Sequence, residues 1–257
     1  MTDRSSYPAG TFSWAELATS DGEAAKPFYT AVFGWTYDDR PVGPDMVYSM
    51  AQLEGRSAAA LFTSDQPPHW NCYVTVVDGD AAAARAGELG ATIVAEPFDV
   101  MTAGRSAVIT DPAGATLYLW QAGENPGAGV VNEPGAMTWT DLVTADADAD
   151  AAGTFYAGLF GWEFEEVEGG PGYRVIRNGG RPNGGIMPLP PEQSGSTPPS
   201  WMPYFGHPDV DALARGIGDL GGQVHQEPFD VLAGRIAVLG DPQGAVFAVW
   251  TGPYDED

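Results

Sequence analysis

The stretch FYTAVFGW, residues 28–35, returns almost unchanged as FYAGLFGW at residues 155–162. Its apolar residues recur at helical spacing, which predicts a helix that packs one face on a core. Gly34 supplies the left-handed conformation that ends a helix at little cost, and Trp35 opens the next segment. An aromatic box for a ligand is the alternative interpretation. The motif therefore predicts a packing element, and its second copy reveals an internal repeat.

The beginning of the same helix is marked by Ser20-Asp21-Gly22-Glu23, which has the spacing of a capping box. Pro27 lies inside the predicted helix, where a proline removes a hydrogen bond and costs about 3 kcal/mol. We therefore expect either a kink in the first turns or a helix that begins later.

The repeat extends over nearly the whole chain. Glu96–Val100 recurs identically as Glu227–Val231. We predict two domains of the same fold, 1–125 and 126–257, joined in the Gly/Pro-rich stretch 123–129. All 8 tryptophans fall into four pairs, which are Trp14 with Trp139, Trp35 with Trp162, Trp70 with Trp201, and Trp120 with Trp250.

Each half divides again into two similar units. Alternating residues from 14 to 21 predict a strand, and a helix follows it to residue 33. The segment NCYVTVVDGD, residues 71–80, repeats that plan before a second helix at 81–89. About three short strands complete each unit, while the EPFDV segments are predicted as loops that shape a rim. The predicted fold class is α+β, with four β-α-β-β-β modules in two pairs.

The composition favours a folded protein and excludes several kinds of partner. Hydrophobic residues make up 44% of the 257 residues, which is enough for real cores. The formal charge of -24 repels nucleic-acid phosphates and anionic membranes. The single cysteine, Cys72, excludes an intramolecular disulfide and fits a reducing compartment. We expect a cytoplasmic protein, a monomer or homodimer, that binds a small molecule and neither nucleic acid nor membrane.

The pattern resembles the vicinal oxygen chelate superfamily, which holds glyoxalase I, extradiol dioxygenases and bleomycin-resistance proteins. The resemblance rests on the acidic helix start at Asp21, on Phe28-Tyr29 followed by Phe33-Gly34-Trp35, on Asp111-Pro112-Ala113-Gly114, and on their repeats. More narrowly, the chain is similar to two-domain glyoxalase-like proteins of actinobacteria, which are often labelled hydroxylases. The resemblance implies two glyoxalase-like domains, in each of which paired βαβββ modules form an eight-stranded cup that holds the substrate.

The resemblance also implies where a divalent metal would bind, and those positions lack suitable ligands. None of the six residues offers a side chain that such a metal prefers, apart from one amide oxygen. The 3 histidines are scattered without metal-ligand spacing, and His225 is predicted to lie in a loop before Glu227. We therefore predict no metal and no cofactor. The six positions are Trp14, Asn71 and Tyr118 in the first domain and Trp139, Met202 and Ala248 in the second.

Strand alternation predicts which side chains line each cup. The first cup is predicted to be aromatic with a single carboxylate, Glu16, and the second contains Asp141. A carboxylate among aromatic rings has its pKa raised by desolvation, which suits a general acid or base. The remaining predicted lining residues are Trp14, Asn71, Tyr73, Tyr118 and Trp120 in the first cup, and Trp139, Tyr204 and Trp250 in the second.

Three functions remain open at this point. The first is a metal-independent lyase, isomerase or hydroxylase-like enzyme in which Glu16 or Asp141 is the base. Its substrate would be oriented by Tyr73, Tyr118 and Arg105. The second is a protein that sequesters a planar small molecule without chemistry, and the third is a metal-dependent glyoxalase. Two structural alternatives also remain: the tryptophans fill the cups while Glu16 bonds a tyrosine, and Arg105 pairs with Asp99 or Glu96.

Overall fold

The computed structural model describes residues 4–44, 46–168, 170, 172–194 and 197–254. The first half contains β1 (Phe12–Thr19), α1 (Gly22–Phe33), β2 (Thr36–Pro41), β3 (Val47–Leu53), β4 (Arg56–Thr63), β5 (His69–Thr75), α2 (Gly79–Glu88), β6 (Thr92–Val100), β7 (Gly104–Thr110) and β8 (Thr116–Ala122). The second half contains β9 (Met137–Ala145), α3 (Ala149–Phe160), β10 (Glu163–Glu166), β11 (Arg174–Asn178), β12 (Arg181–Leu189), α4 (Pro191–Ser194), β13 (Ser200–Gly206), α5 (Val210–Gly216), β14 (Gln223–Val231), β15 (Gly234–Gly240) and β16 (Val246–Thr251).

Each half forms one eight-stranded mixed sheet. The strand order is β2-β3-β4-β1-β5-β8-β7-β6 in the first sheet and β10-β11-β12-β9-β13-β16-β15-β14 in the second. Two βαβββ modules therefore join within each half, through an antiparallel pair formed by their first strands, β1 with β5 and β9 with β13. The predicted α+β fold with tandem modules is confirmed.

Helix α1 ends at the glycine predicted from the sequence, but Asp21 and not Ser20 is its N-cap, so the start departs from the predicted capping box. The side chain of Asp21 accepts a hydrogen bond from the backbone N–H of Ala24 at 3.0 Å, which caps the first turn. The helix ends at Gly34, whose φ of 73° lies in the left-handed region, and Gly161 ends α3 with the same φ. The helix is continuous through Pro27 and begins at Gly22, so the expectation of a late start is wrong.

The duplicated aromatic motif packs at the contact between the two halves. The Tyr29 hydroxyl donates to Asp241 of the second half at 2.9 Å, and the Tyr156 hydroxyl donates to Asp111 of the first half at 2.8 Å. The ring of Phe33 lies 5.0 Å from that of Phe205, on the second sheet. The predicted packing role is confirmed, and the core that the motif builds is shared. Two indole N–H groups also cross between the halves, Trp35 to the carbonyl of Gly135 and Trp162 to that of Gly10.

Two predictions about local structure are wrong. The EPFDV segments are the ends of edge strands β6 and β14, and they are not loops. His225, which was expected in a loop, also lies in β14. The reason is an irregular register: between Ala95 and Phe98 strand β6 holds one residue more than its partner strand. Pro97, which has no N–H to donate, lies in this bulge at the edge of the sheet, where proline is tolerated.

Among the described residues, no helix is long and apolar enough to cross a membrane. Cys72 is buried on the face of β5 opposite the cup, because it alternates with Asn71 and Tyr73. Burial raises the pKa of its thiol, so the sulfur remains protonated and packs near the carbonyl of Trp201.

Candidate functional site

The floor of the first cup is a buried carboxylate held by three side chains. The β1–β5 register pairs Glu16 with Asn71, and all three partners donate hydrogen bonds to the Glu16 carboxylate. The hydroxyls of Tyr73 and Tyr48 lie 2.6 Å and 2.7 Å from its oxygens, and the Asn71 amide nitrogen lies at 3.2 Å. Glu16 is only 6% exposed. The structure therefore brings together Glu16, Asn71 and Tyr73, which the sequence predicted, with Tyr48, which it did not.

The surroundings of Glu16 change its proton affinity. Burial raises the pKa of the Glu16 carboxyl, and this effect outweighs the opposing hydrogen bonds from Tyr73, Tyr48 and Asn71. The pKa values of Tyr48 and Tyr73 are also raised by burial and by the neighbouring carboxylate, so both phenols remain protonated donors. A raised pKa makes the ionised form of a carboxyl a stronger base, which suits proton transfer.

The aromatic side chains predicted for the first cup lie around this carboxylate. The Tyr73 ring is 4.6 Å from that of Tyr118 and 6.2 Å from that of Trp120. The indole N–H of Trp14 donates to the Tyr48 hydroxyl at 3.1 Å. Trp14, Tyr73 and Trp120 are all buried, whereas Tyr118 is half-buried. Side chains thus fill the floor of the cup, and Tyr118 is the aromatic residue of this group that is more exposed to solvent.

The hydroxyl of Tyr118 differs from those of the other two tyrosines. It has no hydrogen-bond partner among the described residues, whereas Tyr48 and Tyr73 both donate to Glu16. Partial burial, and to a lesser extent the charge of Glu16, raises the pKa of Tyr118 to about 12. Its phenol is therefore a protonated donor that is free to bind a ligand oxygen.

The second cup repeats the carboxylate cluster with a shorter side chain. Tyr204 and Tyr173 donate their hydroxyls to Asp141 at 2.7 Å and 2.9 Å, and the Trp139 indole N–H donates to it at 2.8 Å. Burial raises the pKa of the Asp141 carboxyl against these bonds. Trp250 lies beside Tyr254, with ring centroids 4.9 Å apart. Tyr173, the counterpart of Tyr48, was not predicted from the sequence.

The second cup is less polar than the first. Met202 and Ala248 stand where the first cup has Asn71 and Tyr118. Both replacements are buried, and they form a separate apolar cluster with Val143, Tyr204 and Ile236. The two cups therefore share a carboxylate with two tyrosines and differ in the polar groups around it.

Arg105 points away from the cup. The β7–β8 register places it opposite Gln121, on the face that α2 covers, while its neighbour Ser106 shares the cup face with Trp120. Its guanidinium pairs with Asp80 of α2 and with Asp99, both at 2.7 Å. Arg235 repeats this arrangement in the second half. The sheet thus separates Arg105 from the predicted lining residues, and the ion pair with Asp99 is the alternative that the structure shows.

The donor set does not fit a divalent metal of the kind the superfamily uses. Within the described residues, no group of three or more His, Cys, Asp or Glu side chains is arranged to hold a metal ion. The first cup offers one carboxylate, one amide and phenols, and the Glu16 oxygens already accept three hydrogen bonds. His69 and His207 bond locally, to the backbone oxygens of Pro67 and Asp209.

Two surface depressions lie outside both cups. One of about 480 Å³ runs between α3 and the strands β10 and β11, with Asp150, Phe164 and Arg174 in its wall. The other, of about 260 Å³, lies between α2 and β6. Both depressions lie beside helices, and neither is lined by Glu16 or Asp141.

Tandem βαβββ modules that pair into two eight-stranded cups are the architecture of a glyoxalase-like protein class. Residues 11–119 match the model of the Glyoxalase/Bleomycin resistance protein/Dioxygenase superfamily, and residues 141–250 match that of a Glyoxalase-like domain. Together with the relatives described next, these matches show that the chain belongs to this superfamily.

Relatives of similar length share this arrangement over nearly the whole chain. "Putative glyoxylase CFP32" of Mycobacterium tuberculosis (strain CDC 1551 / Oshkosh) is 42% identical, over 97% of both chains. "Anthracycline biosynthesis protein DnrV" of Streptomyces peucetius is 33% identical, over 95% of this chain and 94% of its own.

Solved structures confirm the fold at much lower identity. The Mn(II)-bound glyoxalase from Novosphingobium aromaticivorans has a TM-score of 0.66 at 15% identity, covering 96% of this chain and 86% of its own. The 2,3-dioxygenase LapB from Pseudomonas sp. KL28 has a TM-score of 0.64 at 14% identity, covering 96% and 94%. At these identities the likeness concerns the fold alone.

Proposed function

We propose that the first cup binds a small planar or carbonyl-bearing metabolite and that Glu16 performs metal-independent proton transfer on it. The observation that carries this proposal is a carboxyl 6% exposed, with a raised pKa, held by two phenols on the floor of an aromatic cup. Flat aromatic walls with few polar groups suit a planar organic ligand. Two relatives take their names from anthracycline biosynthesis, which supports a ligand of this kind.

The chemistry that these residues support is proton abstraction beside a carbonyl group. The ionised Glu16 carboxylate takes a proton from the carbon next to the carbonyl group. The C–H electron pair becomes the C=C bond of an enolate, and the C=O π pair moves onto the carbonyl oxygen. The free Tyr118 hydroxyl donates a hydrogen bond to that oxygen as its negative charge develops. Return of the proton to a different carbon completes an isomerisation, and loss of a leaving group instead completes a lyase reaction.

The experiment uses 1-tetralone, a planar aryl ketone with exchangeable C–H groups next to its carbonyl. The protein is incubated with it in D₂O, and NMR follows the replacement of C–H by C–D. We expect exchange above the buffer rate, and we expect Glu16→Gln to lower it by about 10²–10⁴-fold. Asp141→Asn, the matched change in the second cup, should leave the rate unchanged. Absence of exchange, or loss through Asp141→Asn alone, contradicts the assignment to Glu16.

Sequestration without chemistry is the second candidate. It is favoured by the hydrogen bonds that already occupy both Glu16 oxygens, since a base must first release one of them. In this case calorimetry shows 1-tetralone binding that Trp14→Ala weakens, while the deuterium content of the ligand stays at the buffer level. The two candidates therefore differ in one measured quantity, the rate of exchange.

A further inference from the structure

One row of side chains crosses the first cup beside Tyr73 and Tyr118. Thr75 on β5 is in register with Trp120 on β8, and Trp120 is in register with Ser106 on β7. Residues in register on neighbouring strands share a face of the sheet, so all three belong to the cup face. The row therefore consists of an indole flanked by two hydroxyl groups.

Both hydroxyl groups are buried without a partner. Thr75 is 7% exposed and Ser106 is 2% exposed. Neither Oγ1 of Thr75 nor Oγ of Ser106 has a hydrogen-bond partner within the described part of the chain. Leaving a buried hydroxyl without a partner costs about 1–3 kcal/mol, so a row with two of them needs an explanation.

The second cup shows that the fold does not require these hydroxyls. There Gly206 and Ile236 flank Trp250 in the same row. The duplicated scaffold thus keeps the tryptophan and replaces both hydroxyls by groups that carry no donor. The first cup is thus the more polar one in this row, as it is at Asn71 and Tyr118, where the second cup has Met202 and Ala248.

We propose that Thr75 and Ser106 select the ligand of the first cup by donating hydrogen bonds to oxygens of a planar polycyclic ketone or quinone that packs against Trp120. This inference rests on the proposed function and names the substrate class for the same cup. The two backbones are two strand spacings apart, about 10 Å, which matches a ligand of two or three fused rings. Because both hydroxyls are covered, binding includes a side-chain movement in this row.

The test uses two soluble probes that differ only in their ring carbonyls, 9,10-anthraquinone-2-sulfonate and anthracene-2-sulfonate. Both probes carry the same charge, so the acidic surface repels them equally and does not affect the comparison of their affinities. Calorimetry on the full chain should show tighter binding of the quinone. Thr75→Val and Ser106→Ala should each weaken quinone binding about fivefold and leave anthracene binding unchanged. Equal effects on both probes, or no effect on either, overturn the inference.

Thermal unfolding of the same variants separates ligand recognition from a structural role. Since the hydroxyls have no partner in the described chain, neither Thr75→Val nor Ser106→Ala should lower Tm. A fall in Tm with unchanged quinone affinity shows that the hydroxyls serve the fold, and it overturns the inference. Ile236→Ser, the matched change in the second cup, should not alter the affinity for either probe.

Failure of this inference can be told apart from failure of the proposed function. If the wild-type chain binds neither probe, the polycyclic substrate class is wrong, whereas exchange that depends on Glu16 is measured separately with 1-tetralone. If quinone binding is lost through Trp139→Ala and not through Trp14→Ala, the quinone occupies the second cup and this inference is wrong, whereas the proposed function still depends on whether Glu16→Gln lowers the exchange of 1-tetralone.

Discussion

The reciprocal contacts between the halves allow a sharp prediction about stability, because two matched tyrosines differ in one bond. Each hydroxyl donates to the Oδ2 atom of a buried aspartate on the other half, Tyr29 to Asp241 and Tyr156 to Asp111. Tyr156 also accepts the indole N–H of Trp201 at 2.9 Å. The N–H of Trp70, the counterpart of Trp201, has no partner among the described residues.

The magnitudes follow from counting these bonds. Tyr29→Phe removes one hydrogen bond to a charged acceptor, which costs about 2 kcal/mol. For a protein of this size the loss lowers Tm by roughly 4–8 °C. Tyr156→Phe removes the same kind of bond and also leaves the Trp201 N–H unpaired, which adds about 1 kcal/mol or more. We therefore expect Tyr156→Phe to be the more destabilising change.

Urea denaturation followed by tryptophan fluorescence measures the free energy of unfolding of each variant. Tyr37→Phe serves as the control, since its hydroxyl makes one long bond, 3.3 Å, to the carbonyl of Lys26 within the same half. It should change stability by less than about 1 kcal/mol. If Tyr29→Phe costs as much as Tyr156→Phe, or if both match Tyr37→Phe, the reasoning from the shared core is refuted.

Three further predictions concern Glu16, the helix ends and Arg105. Because the pKa of Glu16 is raised in the folded state, its contribution to stability is complete below the unfolded pKa and is lost as pH rises through the folded pKa. Urea denaturation should therefore show a loss of wild-type stability from about pH 4.3 upward that is smaller in Glu16→Gln. Gly34→Ala should cost about 1–2 kcal/mol, because its φ of 73° strains an L side chain, although the added methyl group meets no atom within 4 Å. Gly216→Ala, in α5, is the control and should be neutral or slightly stabilising, because its backbone is right-handed. Arg105→Gln should leave probe affinity unchanged by calorimetry and should change stability little, since its ion pairs are exposed to solvent; a large loss of affinity would place Arg105 in the site.

The fold could be predicted from the sequence because duplication supplied an independent check on each element. The helix stops at Gly34 and Gly161 are local signals, so they are visible without any knowledge of tertiary structure. The partners of the motif were not visible. Tyr29 and Asp241 are separated by more than two hundred positions, and nothing local indicates that they meet. Sequence patterns show which face of a helix is buried but not which element covers it.

The candidate site could be predicted only in part, for a related reason. Glu16, Asn71 and Tyr73 lie on the two central strands, where alternation fixes the direction of each side chain. Tyr48 was missed because it follows an irregular loop, and its approach to Glu16 depends on the curvature that brings β3 over the centre of the sheet. The prediction of a loop at EPFDV was wrong for a different reason. The proline in this segment indicates a loop, but a bulge allows edge strand β6 to contain Pro97.

The shared core has a consequence for how the two halves of such a chain can change over time. The tyrosines, aspartates and tryptophans at the contact serve both halves at once, so a change there harms two structural units together. The cups face away from this contact, and one cup can lose its polar groups without affecting the other. Duplication therefore constrains the contact between the halves and leaves each cup free to change by itself. The presence of Met202 and Ala248 in the second cup, where the first has Asn71 and Tyr118, is a difference of this kind.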